Sequence, residues 1–123
     1  MNISREAIDA VKQGMVDVAN SSEGTAADVF KDFKINYNKT VAGKTGTAET
    51  TDSVNGKCSN NGVFICYAPA EKPTIAIAVV IEKGVYGYYA AHVAKDILAE
   101  YFNLNATNSS DDVAKPDIVM LTK

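Results

Sequence analysis

Apolar residues recur every three or four positions at the start of the chain, which is the spacing of one face of an α-helix. The stripe consists of Ile8, Val11, Met15 and Val18. Asn2 or Ser4 can cap this helix, and the turn-forming residues from Asn20 to Gly24 indicate its end. The pattern therefore predicts a first helix that runs to about Asn20.

A short second helix is predicted from Ala26 to Phe33. Thr25 is followed three residues later by Asp28, an order that resembles a capping box at a helix start. Phe30 and Phe33 would lie on the buried side of this helix and contribute to the core.

Three stretches have the composition of β-strands: residues 40–49, 62–69 and 74–82. Before the first of them, Ile35 and Tyr37 alternate with asparagines in an extended pattern. Residues 50–61 are rich in threonine, serine, asparagine and glycine and are predicted as loop, whereas Pro69 and Pro73 bound a hairpin connection. The third strand is apolar at nearly every position, so both of its faces are expected to be covered.

The last periodic stretch predicts an amphipathic helix of about four turns that covers the sheet. Its apolar positions are Tyr89, Ala90, Val93, Ala94, Ile97, Leu98, Tyr101 and Phe102. After Asn103 the composition becomes polar, so we expect a folded part at residues 1–104 and a flexible tail at residues 105–123. The predicted fold class is α+β, with a three-stranded antiparallel sheet covered by helices.

Size and charge limit the possible functions. The 123 residues correspond to one domain or a piece of one. A net charge of −3 and the lack of a basic stripe argue against binding to nucleic acid. The longest apolar run, Ile75 to Ile81, is far shorter than the roughly 20 residues that a membrane-spanning helix needs.

The cysteines and the single histidine offer little chemistry of their own. Cys66 lies in an apolar strand pattern and Cys58 in a polar loop, which favours two free thiols, although a disulfide between them stays open. No other feature suggests a metal site or a cofactor. His92 lies on the final helix, where a packing or surface role is expected rather than catalysis.

One stretch, residues 41–49, combines a lysine with threonines and glycines on a predicted strand. Because side chains alternate along a strand, Thr45 and Thr47 share one side, while Lys44 and Gly46 share the other. Glycine within a strand often marks a place where a ligand or another backbone approaches closely. A strand lysine can also serve only to keep an edge soluble, which is the alternative for Lys44.

A phosphate-binding loop is a rival interpretation, because Gly43-Lys44-Thr45 provides the last letters of that motif. Its first glycine would have to stand at position 38, which is Asn38, and a helix should follow. The residues that follow are rich in threonine and glycine instead, so we reject this interpretation.

Residues 42–49, Ala-Gly-Lys-Thr-Gly-Thr-Ala-Glu, resemble the Lys-Thr-Gly motif of penicillin-binding proteins and serine β-lactamases. The longer pattern is similar to that of class B penicillin-binding proteins, the monofunctional D,D-transpeptidases. Further similarity lies at Gly14-Met15, Gly24-Thr25-Ala26 and residues 63–71, 75–82 and 90–98. The chain thus resembles the C-terminal part of a class B transpeptidase domain.

This resemblance implies acyl transfer through a serine ester, which cross-links peptidoglycan stem peptides and reacts covalently with β-lactams. Lys44 would supply positive potential beside the nucleophile and help to anchor the substrate. Thr45 and Thr47 would offer hydroxyls to the substrate carboxylate, and the Thr47 N–H would be one donor of the oxyanion hole. Gly46 would let the substrate lie along the strand edge.

The nucleophile of the family motif Ser-x-x-Lys is missing, since no serine in the 123 residues has a lysine three positions later. Ser53-Val54-Asn55 and Ser59-Asn60-Asn61 match the family's Ser-x-Asn by letter, but they follow the lysine strand instead of preceding it. The family is anchored by an N-terminal membrane segment. The resemblance therefore implies a truncated chain from the bacterial cell membrane, with its catalytic domain on the extracytoplasmic side.

Two other functions stay open, a β-lactamase or β-lactam sensor and a non-catalytic binding module. The apolar strand at residues 74–82 would lack a neighbour on its far side in a truncated chain. We therefore expect a homodimer formed through this strand or through the apolar face of the first or final helix.

Overall fold

The computed structural model describes residues 3–54 and 57–107. The elements, in chain order, are α1 (Arg5–Asn20), α2 (Ala27–Phe30), α3 (Phe33–Tyr37), β1 (Ala42–Val54), β2 (Lys57–Ala68), β3 (Ile75–Ile81) and α4 (Gly87–Thr107). Strand order in the sheet is β1-β2-β3, and both neighbouring pairs are antiparallel. The predicted α+β class and the three-stranded antiparallel sheet are confirmed.

Helix α1 begins and ends where the sequence predicts. The Ser4 hydroxyl caps it by accepting a hydrogen bond from the Ala7 N–H at 3.2 Å. At the other end the Ser21 N–H donates to the Asp17 carbonyl oxygen at 3.0 Å. A capping side chain thus satisfies one of the helix's otherwise unpaired amides.

The predicted second helix is two short helices, α2 and α3, so a single helix from Ala26 to Phe33 is wrong. Ala26 is the N-cap of α2, and no side chain caps it, which contradicts the capping box predicted from Thr25. Phe30 and Phe33 are both buried, as expected.

The extended pattern predicted around Tyr37 is also wrong, because this residue belongs to helix α3. The centroid of its ring lies 4.7 Å from that of Phe33, one helical turn earlier. The two rings can pack together because residues four positions apart are neighbours on a helix. Asn38, with a φ of 49°, then ends α3 in the left-handed region that asparagine tolerates.

The β1–β2 hairpin is longer than predicted. Residues 50–61 were expected to be loop, yet β1 continues to Val54 and β2 begins at Lys57. Backbone groups hold a strand ladder together, so polar residues can extend a hairpin without an apolar pattern. The register shifts between Glu49 and Ser53, where the outer part of the ribbon departs from regular pairing.

One face of the sheet carries the core. Phe64 and Cys66 of β2 are buried there, beside the half-buried side chains of β3. Helix α4 covers this face with Ala90, Ala91, Ala94, Leu98 and Phe102. The Phe30 ring stacks on Phe64 at 5.8 Å, which joins α2 to the centre of the sheet. The expectation that the final helix covers the sheet is confirmed.

The opposite face is largely open, so the expectation that both faces of β3 are covered is wrong for the described residues. Burial along β3 alternates strictly, and Val80 on the open face is 62% exposed. Ile65 of β2, on the same face, is 45% exposed. Met15 of α1 lines a groove on this face together with Ile65, Tyr67 and neighbouring residues of β2 and β3.

Helix α4 extends beyond the predicted end near Asn103, since it continues to Thr107. Residues 108–123 lie outside the described residues, so the tail predicted at 105–123 stays a prediction beyond Thr107. No helix within residues 3–54 and 57–107 has the length and apolar character needed to cross a membrane.

Candidate active-site strand

The four predicted site residues, Lys44, Thr45, Gly46 and Thr47, lie in sequence on β1, at the edge of the sheet. In the described part of the chain, only β2 pairs with this strand, so its outer edge has no strand neighbour. The register places Lys44 opposite Ile65 on the open face. Thr45 lies opposite Phe64, on the face that α4 covers. The predicted alternation of side chains along the strand is confirmed.

Lys44 is exposed, and its Nζ donates to the carbonyl oxygen of Thr45 at 2.6 Å. Among the described residues, no carboxylate lies within salt-bridge distance of this ammonium. The charge is therefore not neutralised by an ion pair within the described part of the chain. It can act on an anion that approaches the open face or the edge of β1.

The half-buried Thr45 has a side-chain partner that the sequence patterns do not indicate. Its Oγ1 lies 2.8 Å from Oγ1 of Thr25, and either hydroxyl can be the donor. Thr25 follows α1 in the chain, 20 residues earlier. Local periodicity carries no signal for such a pair. The only hint in the sequence is that Gly24-Thr25-Ala26 belongs to the resemblance described above.

Most glycines near the site are required by internal packing. A Cβ on Gly43 would lie 2.5 Å from the Phe64 ring, and one on Gly62 would lie 2.5 Å from the carbonyl oxygen of Tyr86. Gly46 is different, because its Cβ would come only as close as 3.4 Å to Cβ of Val63, an ordinary van der Waals contact. Packing within the described residues thus gives no reason for a glycine at position 46.

Two segments fasten β1 and β2 from outside the sheet. Asn20 at the end of α1 donates from Nδ2 to the Val41 carbonyl oxygen at 2.8 Å, just before β1. On the other side, the Lys83 N–H donates to Oδ1 of Asn61 at 3.0 Å, and the Val85 N–H donates to the Asn60 carbonyl oxygen at 3.1 Å. These hydrogen bonds connect the β1–β2 hairpin to the end of α1 and to the segment that follows β3.

The remaining candidate side chains stand apart from this chemistry. His92 is exposed, and its ring packs edge-on against the Tyr88 ring with the two centroids 4.8 Å apart, which is a local contact on α4. Cys66 is a buried free thiol, and burial raises its pKa to about 11, so that it stays protonated at neutral pH. The side chain of Cys58 lies outside the described residues, and the question of a disulfide stays open.

The three-stranded antiparallel sheet and its helices have the fold of part of a penicillin-binding protein transpeptidase domain. A model of the family described as "Penicillin binding protein transpeptidase domain" matches residues 1–103. The chain therefore belongs to this family, and it corresponds to part of a class B transpeptidase domain.

Individual relatives agree with this assignment. The peptidoglycan D,D-transpeptidase MrdA of Acinetobacter baumannii is 34% identical over 99 residues, which cover 71% of this chain and 13% of that protein. Penicillin-binding protein 2B of Streptococcus pneumoniae strain R6 has a TM-score of 0.67 at 29% identity, over 84% of this chain and 16% of that one.

A third relative is PBP2 of Pseudomonas aeruginosa, solved in complex with WCK 5153. It gives a TM-score of 0.65 at 31% identity, over 81% of this chain and 21% of that one. The chain thus spans only 13% to 21% of the length of these relatives.

Proposed function

We propose that this chain forms the substrate-binding edge of a serine D,D-transpeptidase that cross-links peptidoglycan stem peptides. The observation that carries the proposal is the glycine of the edge strand. Gly46 lies between Thr45 and Thr47 on an edge without a strand neighbour in the described part of the chain, and internal packing does not require it. A bare position of this kind suits a peptide that adds to the sheet edge as a further strand.

The side chains around Gly46 provide the polar groups that such a substrate needs. The ammonium of Lys44 lacks an ion-pair partner among the described residues, which leaves its charge available to a developing anion. The hydroxyls of Thr45 and Thr47 can donate to the C-terminal carboxylate of the stem peptide or to the carboxylate of a β-lactam. The Thr47 N–H would be one of the two donors to the oxyanion.

The serine nucleophile would come from a segment outside these 123 residues, because no Ser-x-x-Lys occurs within them. Its hydroxyl would attack the donor peptide carbonyl and form an ester, while the peptide bond at that carbonyl breaks and the C-terminal part of the donor leaves as an amine that takes up the proton of the serine. The amine of a second stem peptide would then attack the ester, form the cross-linking amide and release the serine, whose oxygen takes back a proton from that amine. Since peptidoglycan is outside the cytoplasm, the site would work on the extracytoplasmic side of the bacterial membrane, with the membrane anchor outside the present chain.

Transpeptidation is favoured over the β-lactamase, sensor and binding-module alternatives by the similarity to a protein named peptidoglycan D,D-transpeptidase. A β-lactamase would bind the same ligands along the same strand but would release the acyl group to water. The lifetime of the acyl-enzyme therefore separates a transpeptidase from a β-lactamase.

A fluorescent penicillin tests the proposal. We expect the 123-residue chain alone to show no covalent adduct by intact-mass spectrometry, because it lacks the nucleophile. The longer protein that contains this chain should form a stable one-to-one adduct on a serine outside residues 1–123. A stoichiometric adduct on the isolated chain, or rapid turnover of the penicillin by the longer protein, would contradict the proposed function.

A further inference from the structure

The hydroxyl pair of Thr25 and Thr45 joins the site strand to the segment that follows α1. The two Oγ1 atoms are 2.8 Å apart, a normal distance for a hydrogen bond between hydroxyls. Thr25 is exposed and lies outside the Lys-Thr-Gly stretch. Its side chain therefore contributes little to the core, yet it contacts one of the two threonines that we propose to bind the carboxylate.

The backbone holds Thr25 firmly in this place. The Gly24 N–H donates to the Ser21 carbonyl oxygen at 3.0 Å, and the Ala26 N–H donates to the Val18 carbonyl oxygen at 2.9 Å. A Cβ on Gly24 would overlap the carbonyl oxygens of Asp17 and Val18, so this residue sits directly on the last turn of α1. The residues on both sides of Thr25 are thus fixed to α1.

We infer that Thr25 is a positioning residue for Thr45, which orients the Thr45 hydroxyl toward the carboxylate of a peptide or β-lactam. The inference rests on the proposed function, because it concerns the role proposed there for Thr45. Thr25 lies outside the strand motif, yet it sets the direction in which the Thr45 hydroxyl, within the motif, donates its hydrogen bond.

The hydrogen-bonding capacity of a hydroxyl group determines which threonine is the donor when a carboxylate is bound. Each threonine hydroxyl has one proton to donate and can accept other hydrogen bonds. When Thr45 donates its proton to a carboxylate, the bond between the threonines requires Thr25 to be the donor. The resulting chain runs from the Thr25 O–H to the Thr45 oxygen and from the Thr45 O–H to the carboxylate. Each bond in such a chain polarises the next, which makes Thr45 a better donor to an anion.

Four variants of the longer protein test this role through the rate of acylation by a penicillin. Thr25→Val removes the hydroxyl but keeps the branched shape, and we expect acylation to fall roughly fivefold, the factor of a single neutral hydrogen bond. Thr25→Ser should restore most of the rate. Thr45→Val should cost at least as much as Thr25→Val, and the double variant should be no slower than Thr45→Val alone.

The methyl ester of the same penicillin separates positioning from a general structural effect. The ester has no anionic oxygens, so the loss caused by Thr25→Val should shrink with this probe. Thr74→Val, which removes a threonine hydroxyl just before β3, should acylate at the normal rate with both compounds. An equal loss with the acid and the ester would overturn the inference.

The 123-residue chain allows a second measurement that does not depend on acylation. Three-bond NMR couplings should show a single side-chain rotamer for Thr45, and Thr25→Val should convert it to an average of several rotamers.

Unchanged couplings, or additive losses of acylation in the double variant, would overturn the positioning role. If Thr45→Val itself acylates normally, the role proposed for Thr45 fails and the inference fails with it. A loss for Thr45→Val without a loss for Thr25→Val leaves the proposed function intact and rejects only the inference.

Discussion

Gly87, the first residue of α4, lies directly against the backbone of Gly46 in β1. A Cβ on Gly87 would stand 2.5 Å from the carbonyl oxygen of Gly46 and 2.8 Å from its nitrogen. The same atom would lie 2.5 Å from the carbonyl oxygen of Val63 on the neighbouring strand. The start of the long helix therefore supports the backbone of the proposed site from the face opposite Lys44.

Gly87→Ala should destabilise the chain. The new methyl group would meet backbone atoms of two strands, which cannot move aside as a flexible side chain could. We expect a loss of about 1 to 3 kcal/mol in the free energy of unfolding, the usual cost of overpacking. Urea denaturation followed by circular dichroism measures this change.

Gly14→Ala is the matched control, because a Cβ at that position in α1 meets no atom within 4 Å. Alanine favours the helix over glycine, so the free energy of unfolding should rise by up to about 1 kcal/mol. Equal effects of the two substitutions would contradict the close packing of α4 on β1.

Gly46→Ala should separate stability from function. The added methyl group makes only an ordinary contact with Val63, so the free energy of unfolding should be unchanged or rise by up to about 1 kcal/mol. In the longer protein, acylation by penicillin should slow on the order of ten- to a hundredfold, since a substrate displaced by about 1 Å reacts poorly. A normal acylation rate would mean that no ligand approaches this position.

Lys44→Ala should leave folding nearly unaffected, within about 0.5 kcal/mol, because the side chain is exposed. Acylation of the longer protein should fall by roughly a hundredfold or more, the range found when a donor to a developing anion is removed. Lys72→Ala removes an exposed lysine from the connection between β2 and β3 and should have no effect on acylation. If both variants acylate at the normal rate, Lys44 serves only to keep the strand edge soluble.

The isolated chain should associate with itself through the apolar surface that it leaves open. Val80 and Ile65 are 62% and 45% exposed on the uncovered face of the sheet, and the α4 side chains Val93 and Ile97 are also exposed. Exposed apolar patches of this kind favour contacts between chains. Size-exclusion chromatography with light scattering should therefore detect a dimer.

Val80→Lys should shift that dimer toward the monomer, whereas Ile35→Lys should leave it unchanged, because Ile35 is 81% exposed on the separate helix α3. A dimer that resists Val80→Lys but dissociates with Val93→Lys would place the interface on α4. A monodisperse monomer at high concentration would contradict the prediction of self-association.

Features of this protein that depend on local periodicity and local chemistry can be read from neighbouring residues of the sequence. The spacing of Ile8, Val11, Met15 and Val18 predicted a helix that is capped by Asn2 or Ser4 and ends near Asn20, and the structure shows α1 capped by Ser4 and ending at Asn20. The alternation around Lys44 specified which of its neighbours share a face of β1. These features follow from the geometry of one helix or one strand, so neighbouring residues suffice to encode them.

Features that join distant parts of the chain depend instead on how the elements pack together. The ends of the β1–β2 hairpin depend on backbone pairing that is nearly independent of side-chain polarity, although the Asn-Gly pair at positions 55 and 56 is a sequence signal for a turn. The hydrogen bond between the Thr25 and Thr45 hydroxyls and the contact of Gly87 with Gly46 link residues 20 and 41 positions apart, by subtraction of their residue numbers. Such contacts arise when separate elements pack against one another, and no periodic pattern within either element records which partner it will meet.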